Sequence, residues 1–267
     1  MSALQCSGAE PADLERRFGA LRRLYGDAGY ARLRAARVAV VGVGGVGSWA
    51  AEALARCGVA GLVLVDLDHV AESNINRQVQ ALGSTLGQAK VQALRERMAD
   101  IHPGCEVAAV EEFVDAHNWP ALLPAPVDVV IDACDQVRAK TALAAWALRG
   151  THRLVTVGAA GGKRLAHRVE AGDLAAVTHD PLLAALRQRL RREHDAARKG
   201  AIGVRCVFSR ETVTRPPGAC DAVDGSLNCH GYGSSVAVTA SFGMVAAGEA
   251  IELCLAPALR PPPPACL

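Results

Sequence analysis

The chain has 267 residues, 51% of them hydrophobic and only 4% aromatic, so a sizeable core is available and Ala, Val and Leu must build it. A formal net charge of +2 excludes bulk charge as an argument for nucleic-acid binding.

Residues 13–36 are expected to form an amphipathic helical arm, with Leu14, Phe18, Leu21, Leu24, Tyr30 and Leu33 set among arginines. A strand over 37–42, a helix over 46–57 stopped by Gly58, and a strand over 61–66 follow. The connection 68–85 is long and polar, a length that in a compact domain usually serves function. Next come a helix over 87–101, a strand near 106–110, a buried strand over 127–132, a helix over 136–149 and a strand over 154–157. Such alternation predicts an α/β fold: a Rossmann-like, mostly parallel sheet with helices on both faces, preceded by the helical arm. Beyond Gly158 the character changes to a smaller α+β portion. It reads as a basic helix over 180–199, strand-like runs at 204–209 and 211–214, a Gly/Pro/Asp loop to residue 230, and an apolar segment over 234–256. The expected division is a nucleotide-binding domain at 13–160, a subdomain completing the fold at 161–256, and a stiff Pro-rich tail at 257–267. The last apolar segment is marginal for a membrane span. A buried core helix is the favoured reading and membrane contact the alternative.

The most informative stretch is Gly42-Val43-Gly44-Gly45-Val46-Gly47, which links an apolar strand to a helix. Glycines allow a tight turn and let a phosphate approach without meeting a Cβ, and the N–H groups at the helix start attract the anion. Asp66 ends the next strand 24 positions after Gly42 (66 − 42), where a Rossmann unit places its ribose-binding carboxylate. Taken alone, this pattern suits many dinucleotide enzymes. The next residues narrow it. Asp68, Asn74, Arg77, Gln78, Lys90 and Asp135 all fall at carboxyl ends of predicted parallel strands or in their connections. Arg77 and Lys90 can neutralise a triphosphate, and Asp135 can hold a magnesium ion. Hydride transfer needs neither feature; adenylation of an acid by ATP needs both.

The glycine turn, the Asp66-x-Asp68 pair, Ser73-Asn74-x-Asn76-Arg77-Gln78, Lys90 and Asp135 resemble the adenylating domain shared by ubiquitin-activating enzymes and the bacterial molybdopterin and thiamine activators. The resemblance implies that Asp66 holds the ribose, that Asn74, Arg77 and Lys90 contact phosphates, and that Asp135 serves magnesium. It also implies a homodimer in which an N-terminal arginine reaches the partner's ATP; Arg17, Arg22 and Arg23 are the residues near the expected position. The two CxxC pairs that bind zinc in the molybdopterin and thiamine activators have no counterpart here, so no zinc is expected. Arg17-Phe18-Gly19, Leu24-Tyr25-Gly26, residues 158–162, Asp180-Pro181-Leu182 and residues 204–209 instead resemble the branch of tRNA-modifying dehydratases that act on threonylcarbamoyladenosine. That likeness implies ATP, magnesium and tRNA, with ring closure through an acyl-adenylate and no need for a catalytic cysteine. Candidate tRNA contacts are Lys163, Arg164, Arg187, Arg191 and Arg198.

Nine cysteines at scattered positions, and residues 1–13 without a charged-then-apolar leader, suggest the reducing cytoplasm. Cys206 is expected in the core; Cys229 sits in a glycine-rich loop and is the cysteine most open to a chemical role. Three other functions stay open: adenylation of the C-terminus of a small sulfur-carrier protein, an NAD- or FAD-binding Rossmann module, and a scaffold for sulfur-transfer partners.

Overall fold

A computed structural model describes residues 12–150, 152–214 and 232–257. Seven strands form one sheet: β1 (Arg37–Val41), β2 (Gly61–Val65), β3 (Glu106–Val110), β4 (Val129–Asp132), β5 (Arg153–Val157), β6 (Val169–Asp173) and β7 (Arg205–Ser209). Their order across the sheet is β3-β2-β1-β4-β5-β7-β6. All neighbours run parallel except β6, which returns antiparallel along β7. Strands β1, β2, β4 and β5 are Val-rich or otherwise apolar because helices cover both of their faces, whereas edge strand β3 is only half-buried.

The helices are α1 (Leu14–Phe18), α2 (Ala20–Ala35), α3 (Gly47–Arg56), α4 (Lys90–Ile101), α5 (Val137–Arg149), α6 (Pro181–Glu193) and α7 (Val236–Leu255). Strand alternation sorts the core into two layers. Val38, Val40, Leu62, Leu64, Val129 and Ile131 face α2, α3, α4 and α7. Ala39, Val41, Val63, Val65, Val130 and Leu154 face α5 and α6. The helical arm contains a kink, since Gly26 in α2 adopts φ 70° and ψ 172°.

Helix α7 is long and apolar enough to cross a membrane, yet its Val238, Phe242, Ala246, Ala247, Ala250 and Ile251 lie in the core. It packs directly on α3. A Cβ on Gly243 would stand 2.6 Å from the Val46 carbonyl oxygen and 2.8 Å from the Trp49 Cβ. The glycine that interrupts this apolar run therefore permits a close helix crossing.

Three expectations are corrected. The basic helix does not reach residue 199; α6 ends at Glu193, where His194 is the C-cap and Asp195 turns the chain at φ 52°. Residues 211–214 form no strand, because the β7 edge they would join is already paired with β6. Strand β6 itself, Val-Glu-Ala-Gly-Asp, was not anticipated: it has neither an apolar run nor clean alternation. The segment after residue 160 thus adds its strands to the same sheet. Cys229, His230 and the tail beyond residue 257 lie outside the described residues.

Candidate nucleotide-binding site

The strand order reverses direction between β1 and β4, which leaves a crevice at their carboxyl ends. A cavity of about 1180 Å³ opens there. Its wall includes Gly42, Gly44, Gly45, Asp66, Asp68, Asn74, Arg77, Gln78, Lys90 and Asp135. These residues come from five separate stretches of chain, and the fold brings them to one space.

The glycine turn is built for close approach. Gly42 adopts φ 81°, in the left-handed region, and a Cβ there would stand 2.9 Å from the Cys134 amide nitrogen. A Cβ on Gly44 would meet nothing closer than the Gln78 Nε2 at 3.9 Å. The side of Gly44 where a Cβ would stand thus opens onto the cavity. The N-cap of α3, Val46, provides no side-chain cap, and the Gly44 carbonyl accepts from the Ser48 N–H at 3.1 Å, so the backbone that faces the cavity here is that of Gly44, Gly45 and Val46. Gly47 departs from the expected role: it is buried and absent from the cavity wall, and a Cβ there would collide with the Gly42 carbonyl oxygen at 1.9 Å. It packs the turn and makes no ligand surface.

These contacts predict a separation of stability from binding. Gly44→Ala will leave the melting temperature within a few degrees of wild type and weaken ATP binding at least about tenfold, since its methyl enters only ligand space. Calorimetric titration beside thermal unfolding checks this; unchanged ATP affinity would remove the turn from the binding site.

Asp66 locks the turn as well as facing the cavity. Its Oδ2 accepts from the Val43 N–H at 2.8 Å and its Oδ1 from the Asp68 N–H at 2.9 Å. Burial pushes its pKa up, while the nearby Lys90 charge and these two N–H bonds oppose the rise. Lys90 is buried at the start of α4, and its Nζ stands 2.6 Å from the Asp68 Oδ2. Asp68 is largely exposed at that contact. Arg77 lies against the turn, its Nη1 donating to the Ser73 carbonyl at 2.6 Å and the Asn76 Oδ1 at 2.9 Å. The Oδ1 of Asn74 accepts from the Ala71 N–H, and the Oε1 of Gln78 accepts from the Gln80 Nε2. Both amides therefore help to shape the connection 68–85 besides lining the cavity.

Asp135 is exposed on the cavity wall, and its carboxylate takes no hydrogen bond among the described residues. It does not cap α5; Gln136 occupies that N-cap position. Among the described residues no group of three or more His, Cys, Asp or Glu side chains could hold a metal together. A lone uncommitted carboxylate fits magnesium, which binds through one or two carboxylates plus phosphate oxygens and water.

Sequence reasoning missed part of the wall. Phe113, half exposed on the segment after β3, and the stretch Thr178-His179-Asp180 before α6 also line the cavity. Asp180 caps α6 by accepting from the Leu183 N–H at 3.0 Å, and its other oxygen accepts from the Ala159 N–H at 2.9 Å. The carboxyl-edge rule was the available signal for Phe113; the stretch before α6 follows the antiparallel strand β6, so no strand end pointed to it.

The described thiols are not poised as nucleophiles. Cys134 borders the cavity, but burial pushes its thiol well up, and its Sγ donates to the Asp132 Oδ1 at 2.8 Å. Burial likewise raises Cys206, in the core as expected, and pushes Cys105 up to about 11 and Cys254 up to about 12.

Several arginine and lysine assignments need correction. Lys163 is 3% exposed, and its Nζ donates to the carbonyls of Ser209 at 2.9 Å and Glu211 at 3.1 Å. It cannot meet tRNA phosphates. Arg187 donates to the carbonyls of Leu174 and Val177, and Arg191 to those of Ala197 and Arg198, so both hold their own chain together. Arg164 and Arg198 are exposed. Arg17 caps the end of α4 by donating to the Asp100 and Ile101 carbonyls, whereas Arg23 is exposed without a side-chain hydrogen bond among the described residues.

A model of the ThiF family matches residues 17–264. The tRNA threonylcarbamoyladenosine dehydratase of Escherichia coli is 41% identical over 91% of this chain and 95% of its own length. That of Haemophilus influenzae is 37% identical over 89% of this chain and 93% of its own. The crystal structure of the Escherichia coli tRNA N6-threonylcarbamoyladenosine dehydratase in complex with ATP superposes with a TM-score of 0.82 at 40% identity, covering 91% of this chain and 96% of that one. Its complex with AMP superposes equally well. The glycine turn, the carboxyl-edge cavity and this near-complete likeness agree: the chain belongs to the ThiF family.

Proposed function

We propose that this chain catalyses the ATP-dependent, cyclising dehydration of threonylcarbamoyladenosine in tRNA through an acyl-adenylate. One observation carries the reading: the glycine turn, Asp66, Arg77, Lys90 and Asp135 share a single cavity in a chain whose relatives of 41% and 37% identity bear that name. ATP phosphates rest on the turn backbone at Gly44, Gly45 and Val46, ahead of α3, and Asp66 accepts from the ribose hydroxyls. Arg77 and Lys90 neutralise the charge that develops as a carboxylate oxygen of the threonyl group attacks the α-phosphorus and pyrophosphate leaves. Asp135 would hold a magnesium ion, which when bound adds charge neutralisation at the phosphates. An oxygen or nitrogen of the same group's urea then attacks the acyl carbon, and AMP departs. The nucleophile is already attached to the substrate, an advantage worth roughly 7–11 kcal/mol of barrier. No described cysteine is needed for that step.

The same reading places the protein in the cytoplasm as a homodimer, with Arg23 rather than Arg17 reaching the partner's ATP, and with Arg164 and Arg198 meeting tRNA phosphates. The test is AMP and pyrophosphate release with tRNA bearing threonylcarbamoyladenosine, alongside mass spectrometry of the tRNA nucleosides. A product lighter by one water is expected. Failure to release AMP or pyrophosphate with such tRNA overturns the proposal, and pyrophosphate exchange driven by a carrier protein ending in Gly-Gly would replace it.

A further inference from the structure

The cavity extends past the nucleotide half to a second wall made by the segment before α6. His179 on that wall adopts φ 60°, one of two non-glycine residues with positive φ among the described residues. Side chains rarely occupy this region, and glycine or asparagine would fit it with less strain. The surroundings enforce it from both sides. The buried Lys163 Nζ stands 3.4 Å from the His179 carbonyl oxygen while also holding Ser209 and Glu211. The following residue, Asp180, is buried and fixed as the cap of α6, and Pro181 begins the helix. A strained backbone held this firmly delivers a side chain to a set place.

The imidazole is exposed on the cavity wall. Its Nδ1 lies 3.0 Å from the Thr178 Oγ1, and its Nε2 has no partner among the described residues. The other ionisable groups of this wall are committed: both Asp180 oxygens accept backbone N–H groups, and the Arg187 guanidinium donates to two carbonyls and stays protonated. Imidazole is also the side chain best suited to take and return a proton near neutral pH.

We propose that His179 is a catalytic residue of the second half-reaction, its Nε2 accepting the proton released as the ring closes. The inference rests on the adenylation reading above. As the urea nitrogen or oxygen bonds to the acyl carbon, the acyl carbon–oxygen bond to AMP breaks, and AMP leaves with that electron pair. The urea N–H proton passes to His179 and then to solvent. No oxidant or further reactant enters.

Rapid-quench kinetics with the full chain, ATP, magnesium and threonylcarbamoyladenosine-bearing tRNA provide the test. His179→Asn suits the left-handed backbone but cannot act as the base. Its pyrophosphate burst and KM for ATP should stay within about twofold of wild type, while ring closure slows about 10²- to 10⁴-fold. The acyl-adenylate should accumulate and be trapped by hydroxylamine as a hydroxamate. His179→Ala should show the same split. Wild-type ring closure in His179→Asn, or an equal loss of burst and closure in both variants, overturns the role of His179 and leaves adenylation standing. A wild-type chain with no tRNA-dependent burst overturns the adenylation reading itself.

Discussion

Arg77→Ala will lower the rate of tRNA-dependent pyrophosphate release by about 10²- to 10³-fold, and Lys90→Ala will do the same. Both residues line the cavity, Arg77 against Gly45 and Lys90 beside Asp68, and on the proposed reading they neutralise the phosphates as the α-phosphorus is attacked. The stability consequences should differ. Among the described residues the side chain of Arg77 bonds only to neighbouring groups, Ser73 and Asn76, and it is half-buried, so Arg77→Ala should cost about 0.5 kcal/mol of stability or less. Lys90 is buried against Asp68 and sits near Asp66; its removal leaves the buried Asp66 with less compensating charge. Lys90→Ala should therefore lower the melting temperature as well as the rate. Single-turnover pyrophosphate release and thermal unfolding read the two effects separately. An Arg77→Ala chain with a wild-type burst would remove the phosphate-binding assignment, because no other assigned cation lies on the turn.

The largest stability effect belongs to a pair that the proposed chemistry does not use. Lys140 and Asp132 are both fully buried, with Nζ 3.1 Å from Oδ2, and the Thr156 hydroxyl donates to the same oxygen at 2.5 Å. Burial works against the Lys140 charge, and the Asp132 carboxylate more than offsets it, so its pKa lies above the ordinary lysine value. Lys140→Met will cost about 3–5 kcal/mol, because a carboxylate remains in the core without its counter-charge. The double variant Asp132→Asn/Lys140→Met should recover at least half of that loss, since the uncompensated charge is gone while the amide still bonds to Thr156 and Cys134. Denaturant unfolding of the two variants measures the difference. A Lys140→Met chain as stable as wild type would mean that the pair is not ionised in the folded state.

The alternation of apolar strands with helices, the glycine turn and the acid that ends β2 could all be read without coordinates. Each depends on contiguous residues: a run of Val and Leu, a dense set of glycines, a carboxylate one strand later. The site residues Asp66, Arg77, Lys90 and Asp135 were legible for a related reason. A parallel sheet sends every strand's carboxyl end to the same edge, so positions far apart in the chain share one location once the strand pattern is known. Edge strand β6 was hidden because half-exposed strands need no apolar run.

What the sequence by itself determined was the type of fold, the edge where the cavity opens and the charged residues gathered on its wall. Only the tertiary structure decided which charges remain available. Lys163 and Lys140 look alike in a sequence beside Lys90, yet the first is consumed by carbonyls, the second by a carboxylate in the core, and the third pairs with the exposed Asp68 at the cavity wall. Arg17 and Arg23 divide in the same way, as do Arg187 and Arg198. A side chain's freedom depends on acceptors brought to it by packing, often from more than forty positions away, and no local pattern encodes that; the strained backbone that aims His179 is visible for the same reason only in the folded chain.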